Sequence, residues 1–221
     1  MLEIIALTLE DARRIEAGGG QRIELISAYG EGGLTPSYGL IESVCRNVKI
    51  PINIMIRPHS NNFIYTGEEI EIMMQDIKTA KKLGANGVVF GVLTPENTID
   101  VMKLQKLLTV CAGLEVTFHR AIDETDVVAS IEILSHYPQI TTVLTSGGIK
   151  NHIEQNAEVI RAAISRKKHL DILLGAGLTL NNVESVKEKT MARSFHFGSA
   201  VRTGREIDMK KVKKLSQILG R

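Results

Sequence analysis

Charged, imidazole and hydroxyl side chains recur inside or just after short apolar runs, where a globular chain ordinarily places apolar residues. Glu3 lies in Leu2–Leu7, Glu24 in Arg22–Ser27, and Arg57 ends the segment Met55-Ile56-Arg57 ahead of Pro58. His119 and Arg120 end another run with Asp123 just beyond, Thr145-Ser146-Gly147 ends a further one, and His196 lies in Ser194–Phe197. Carboxylate and imidazole exchange protons near neutral pH. Glu24 or Asp123 with His119 could therefore move a proton, while Arg57 and Arg120 hold an anion. Each residue alone also has a structural reading. Glu24 and Arg57 could form a buried ion pair, Glu3 could turn outward to a helix end, and His119 could bond to backbone in the core. An unpaired buried charge costs several kcal/mol, so the whole set favours a shared pocket over packing.

Two further groups point to binding. Gly175 and Gly177 follow one apolar run and Gly198 and Ser199 another. Backbone N–H groups at such positions can hold a phosphate. Gly32 and Gly33, in the long segment Tyr29–Ser37, would let backbone approach a ligand. For metal, His119 and His196 could supply imidazole and Glu24 a carboxylate. There is no H-E-x-x-H and no C-x-x-C. Cys45 falls on the second predicted helix and Cys111 on the fourth. Those helices are not neighbours, so the thiols should not share one ion, and buried structural cysteine is the better reading of both.

The elements that must position these residues alternate along the chain. Strands are predicted over Leu2–Leu7, Arg22–Ser27, Ile52–Arg57, Gly87–Val92, Glu115–His119, Thr142–Thr145, Asp171–Leu174 and Ser194–Phe197. Their Ile, Leu, Val and Phe content suits strands buried on both faces. Between them, helices are predicted over Pro36–Arg46, Glu68–Leu83, Asp100–Ala112, Asp126–His136, His152–Arg166, Leu180–Glu188 and Asp208–Leu219. Thr8 and Thr66 read as N-caps, and Gly84 and Gly113 as closing residues. Repeated strand–helix units imply a parallel sheet with right-handed crossovers. A doubly wound sheet would show G-x-G-x-x-G after the first strand, but Thr8-Leu9-Glu10 stands there. The expectation is an α/β fold, a (β/α)8 TIM barrel, as a single domain over 1–221. Polar residues at the C-terminal ends of barrel strands are the ones that function.

Composition narrows the classes. The 221 residues are 43% hydrophobic, enough for a large core, and about 200 residues suffice for this barrel. Net charge is +2, aromatics are 4% and Trp is absent, so no basic, aromatic-interleaved surface for nucleic acid is expected. The start MLEIIALTLEDARR turns acidic at once and does not read as a signal peptide. No apolar run approaches the ~20 residues of a membrane span. A cytoplasmic chain with reduced thiols is expected, its partner a small anionic ligand or a metal ion.

Several segments resemble one known family. They include Glu24-Leu25, Glu31-Gly32-Gly33-Leu34-Thr35-Pro36-Ser37, Met55-Ile56-Arg57-Pro58, Phe63-Ile64-Tyr65, and Gly87 to Thr94. Two more are Thr117-Phe118-His119-Arg120-Ala121 with Asp123, and Leu144-Thr145-Ser146-Gly147. In order and over nearly the whole chain they are similar to the CutC family of copper homeostasis proteins. The resemblance implies a β/α barrel, a cytoplasmic location, a dimer or higher homo-oligomer, and copper, as Cu(I), as the bound metal. Many members carry cysteine directly after the Glu-Leu pair, where this chain has Ile26. Many carry Arg-x-Gly-Asp-Phe where this chain has His59-Ser60-Asn61-Asn62-Phe63. Cu(I) prefers thiolate or thioether, so Ile26 removes the obvious soft ligand. Beside the copper role stand two readings from the residues alone: a barrel enzyme acting on a small anionic or phosphorylated metabolite, and a barrel used for binding or scaffolding.

Overall fold

The computed structural model describes residues 1–148 and 153–220. Strands β1 (Leu2–Ala6), β2 (Arg22–Leu25), β3 (Ile52–Met55) and β4 (Gly87–Phe90) pair in sequence order. Strands β5 (Glu115–Phe118), β6 (Ile140–Thr145), β7 (Asp171–Leu174) and β8 (Ser194–Phe197) continue the order, and β8 returns to β1. All of these pairings are parallel, so the sheet is the predicted closed eight-stranded barrel. Helices α1 (Leu9–Ala17), α2 (Tyr38–Asn47), α3 (Gly67–Lys82), α4 (Val101–Leu108), α5 (Val127–Leu134), α6 (Ala157–Arg166), α7 (Val183–Thr190) and α8 (Met209–Ile218) surround it. A small hairpin of β9 (Arg202–Thr203) and β10 (Glu206–Ile207) follows β8.

Local chemistry sets the helix starts. Thr8 Oγ1 accepts from Asp11 N at 3.0 Å. Thr66 and Glu69 form a reciprocal capping box, each side chain accepting from the other's backbone N–H. Such a cap contributes about 1 kcal/mol. Gly84 follows α3 at φ +93°, where a Cβ is disfavoured. Several predicted ends shift by a few residues. Helix α4 stops at Leu108; Thr109 still holds helical φ and ψ of −59° and −26°, with its Oγ1 donating to Lys106 O at 2.6 Å. Gly113 therefore closes the following turn and not the helix, and Cys111 lies beyond α4. The predicted start of α6 at His152 lies outside the described residues.

The larger correction concerns the strands' inner face. The outward residues are apolar as expected: Ile4, Leu25, Ile54, Phe90, Phe118 and Phe197 join the helices in one continuous core. The inward residues are not uniformly apolar. Glu3, Arg22, Glu24, Asn53, Thr117 and His196 are all buried. The inner apolar cluster consists of Ile26, Met55 and Val89, with Ile5 and Leu7 against it. The period of two that separates the faces of a strand thus separates an apolar jacket from a largely polar lumen.

Candidate active site at the barrel mouth

Strands β1 to β5 stop one or two residues earlier than their apolar runs while β6 to β8 end as predicted, and polar residues at these ends turn into a cavity of about 760 Å³ at the C-terminal face. Glu24, Arg57, His119, Arg120 and His196 all line it, together with Met55 and Phe63. The gathering of Glu24, Arg57 and His119 at one rim is therefore found. Gly32, Gly177, Gly198 and Ser199 also line the cavity.

At its base lies a chain of ionisable groups. Glu3 does not turn outward; it is fully buried between two partners. Its Oε2 accepts from Arg22 Nε at 2.5 Å and its Oε1 from His196 Nδ1 at 2.7 Å. Register explains this, since Glu3 pairs with Arg22 on one side and with His196 on the other. Burial works against the Glu3 carboxylate, but Arg22 and His196 outweigh it and hold the group at about 2. With Nδ1–H committed to Glu3, Nε2 of His196 faces Glu24 Oε2 at 3.7 Å. Burial pushes Glu24 up to about 7. Burial also opposes a charge on His196, yet Glu24 and Glu3 prevail and raise it. Glu24 and His196 thus bias each other's charge across 3.7 Å, with no direct hydrogen bond between them among the described residues.

His119 has a different electronic state. Its Nδ1 accepts from Ala121 N at 3.2 Å, so in the neutral ring Nε2 carries the hydrogen. That Nε2 is buried and has no partner among the described residues. Burial and the nearby charges of Arg57 and Arg120 depress its pKa to about 3. His119 is accordingly a neutral hydrogen-bond donor, and the expectation that it accepts protons is corrected. Phe63 sits against it at 4.8 Å between ring centroids and also lies under the Arg57 guanidinium at 4.8 Å.

Arg57 is chiefly a strut. It does not pair with Glu24; its Nη1 donates to Glu31 O and Gly33 O, at 3.0 and 3.3 Å, and its Nη2 to Ser60 O at 3.3 Å. Gly32 and Gly33 take φ of +81° and +94° to bring those carbonyls round. Asp123 is turned away from the cavity. It accepts from Arg120 Nε at 2.9 Å, Thr145 Oγ1 at 2.5 Å and Ser146 N at 3.0 Å, which ties the end of β6 to the turn after β5. Asp123 and Ser146 therefore support the wall, because their polar atoms are already engaged. Gly175 packs beneath the rim: a Cβ there would meet Leu144 Cδ1 at 2.7 Å and His196 Cδ2 at 3.2 Å. At Gly198 a Cβ would lie 2.6 Å from Tyr29 Oη.

The cysteines stand apart. Neither lines the cavity. Burial raises the Cys45 thiol to about 11 and the Cys111 thiol to about 12, so both are protonated at neutral pH. Sequence reasoning did not single out Arg22, Asn53, Thr117 or Phe63. Arg22 carried a usable signal, as the first residue of a strand that pairs with the one holding Glu3.

Fold and site together define a β/α barrel whose polar mouth combines an orphaned donor with a buried carboxylate–imidazole chain. The chain belongs to the CutC family, whose model matches residues 1–201. It is 38% identical over 211 residues to the copper homeostasis protein cutC homolog of Homo sapiens, covering 95% of this chain and 76% of that one. It is 36% identical over 197 residues to a family protein CutC of Xylella fastidiosa (strain 9a5c), covering 88% of this chain and 73% of that one. The crystal structure of the putative copper homeostasis protein CutC from Streptococcus agalactiae superposes with a TM-score of 0.84 at 31% identity, covering 91% of this chain and all of that one.

The residues do not fit Cu(I). The metal-competent cluster among the described residues is Glu3, Glu24 and His196, whose ligand atoms lie within 4.8 Å of one another. Two carboxylates and an imidazole are hard or borderline donors, whereas Cu(I) selects thiolate and thioether. The one thioether at the mouth, Met55, has no soft partner in the cavity lining. The cluster is also balanced without an ion: Glu3 and Glu24 supply two negative charges, Arg22 and a protonated His196 two positive.

Proposed function

We propose that this chain serves the copper homeostasis for which its relatives are named, in the cytoplasm, and that its working part is the barrel mouth. There it binds a small anionic molecule and moves a proton on it, without fixing Cu(I) on thiolates. One observation carries this reading. Among the described residues the mouth holds a buried donor without an acceptor, His119 Nε2, and a buried acceptor without a donor, Glu24 Oε1. Each unmet group costs about 1–3 kcal/mol, and a ligand with an acceptor oxygen and a transferable proton satisfies both. Arg57 and Arg120 favour negative charge on that ligand.

The roles follow from geometry. His119 donates to the ligand oxygen and steadies charge that develops there. Glu24, held as a carboxylate beside the protonated His196, takes the proton, and the His196 charge favours that carboxylate before it does so. Glu3 and Arg22 are positioning residues that fix the His196 tautomer and balance its charge. Assembly as a dimer or larger homo-oligomer belongs to the same proposal and is checked by light scattering.

Calorimetry tests the site with inorganic phosphate and malonate as probes. Binding of either, weakened about ten- to hundredfold by His119→Ala, supports it, since one lost hydrogen bond to a charged ligand is worth about 1.5–3 kcal/mol. Failure of both probes to bind, with no small molecule retained in native mass spectrometry, would overturn it. Anaerobic Cu(I) titration decides the rival reading: binding tighter than about micromolar in both the native chain and Cys45→Ser/Cys111→Ser would restore a copper site.

A further inference from the structure

Polar groups that the mouth chemistry does not use lie deep in the barrel. Asn53 and Thr117 are completely buried. Asn53 Nδ2 and Oδ1, Thr117 Oγ1 and Arg22 Nη2 lack a hydrogen-bond partner among the described residues. Strand alternation puts them on one face. Asn53 is two residues from Met55, Thr117 two from His119, and Arg22 two from Glu24, and all three of these reference residues line the inner cavity. Asn53 also pairs in register with Glu24.

Space is kept for them. A Cβ at Gly87 would come within 2.5 Å of Asn53 Oδ1, so the missing side chain leaves Asn53 room to lean across β4. Arg22 spans the lumen, its Nη1 reaching Glu115 Oε2 at 3.4 Å and Thr142 Oγ1 at 3.5 Å. Arg22 and Glu115 are the first residues of β2 and β5, and half of the Glu115 side chain is exposed at the barrel floor. A barrel lumen is ordinarily filled with branched apolar side chains. Leaving so many polar atoms unmet would cost several kcal/mol. Both neutral and charged groups, donors and acceptors, are represented. Water satisfies such a mixture, needing two to four polar partners at each position, whereas a cation would be repelled by the Asn53 amide N–H groups and Arg22.

We infer that Arg22, Asn53 and Thr117 enclose a bound-water site inside the barrel, next to Glu24, and that its waters link Glu24 to the barrel floor. When a ligand covers the mouth, Glu24 can then pass its proton inward: each water accepts one proton and releases another, and the last hands it to the half-exposed Glu115 carboxylate, which gives it to solvent. The water site itself does not depend on which ligand the mouth takes.

The test is oxygen-17 water relaxation dispersion on the intact chain, with His196 Nδ1–H exchange followed by NMR. The native chain should hold long-lived internal water. Asn53→Leu/Thr117→Val should lose that signal and slow the exchange about tenfold, because the conducting groups are replaced by apolar ones. Thr117→Ser, which keeps the hydroxyl, should behave as native. Absence of long-lived water in the native chain overturns the site even if the double variant does not fold. Native exchange rates in a folded double variant overturn the link. Neither outcome bears on phosphate or malonate binding at the mouth.

Discussion

Glu3 Oε1 accepts from His196 Nδ1 at 2.7 Å, and this bond decides which nitrogen of His196 faces Glu24. The same carboxylate neutralises Arg22. Glu3→Gln keeps the shape but removes the charge, leaving Arg22 with the more distant, half-exposed Glu115 and the charge of Asp171. Breaking a buried pair from one side costs about 3–5 kcal/mol. Urea denaturation should show a loss of about 3 kcal/mol, and a loss below about 0.5 kcal/mol, the level of an ordinary surface change, would mean that Glu3 is not holding the network.

Two groups at the mouth should give opposite pH dependences. Glu24 has a folded pKa of about 7, above the ordinary 4.5. Between those values the folded state binds more protons, so its contribution is lost as pH rises through 7. His119 has a folded pKa of about 3, below the ordinary 6.5. There the unfolded state binds more protons, and stability is lost as pH falls below 6.5. In the shared window, about pH 4.5 to 6.5, the two oppose each other. Glu24→Gln should leave stability falling on acidification, and His119→Asn should leave it rising, each by up to about 1.4 kcal/mol per pH unit. Comparing urea midpoints at pH 6.5 and 5 in both variants checks the signs, and equal slopes would contradict the assignments.

The barrel and the strand ends were legible because alternation of apolar runs with amphipathic stretches is a signal carried by many residues at once. Glu24, Arg57 and His119 stood out because charges in apolar runs are costly. Their partners were hidden, because partnership is set by register and by loop return. Nothing along the chain says that Arg57 will bond the carbonyls of Glu31 and Gly33, or that Asp123 will be consumed by Thr145 and Ser146. Asn53 and Thr117 looked ordinary because short polar residues are common in strands, and their inward parity appears only once the ring closes.

Gly91 is predicted to control the state of His119. A Cβ at this position would lie 2.5 Å from His119 Nδ1 and 2.7 Å from its Cε1. The ring is packed against Phe63, so it has little freedom to retreat. Gly91→Ala should cost about 1–3 kcal/mol by overpacking and break the Ala121 N–H bond that selects the Nε2–H tautomer. Nitrogen-15 NMR of the imidazole should show that tautomer in the native chain and a mixture in the variant. An unchanged tautomer with unchanged stability would place the ring elsewhere.

The thiols supply the sharpest separation between the family's name and this chain's chemistry. Thiolate is the form that binds soft metal and reacts with alkylating agents. Cys111 is buried, its Sγ within 3.3 Å of Leu107 O, and Cys45 is only partly accessible. With pKa values pushed to about 12 and about 11, neither ionises at pH 8. Iodoacetamide at that pH should label Cys45 slowly and Cys111 only on unfolding, as read by intact-mass spectrometry. Cys45→Ser/Cys111→Ser should leave phosphate and malonate binding at the mouth as in the native chain, because neither thiol lines that cavity. Fast labelling of the folded native chain at either position would mean a thiolate is present, and would return a soft-metal ligand to consideration.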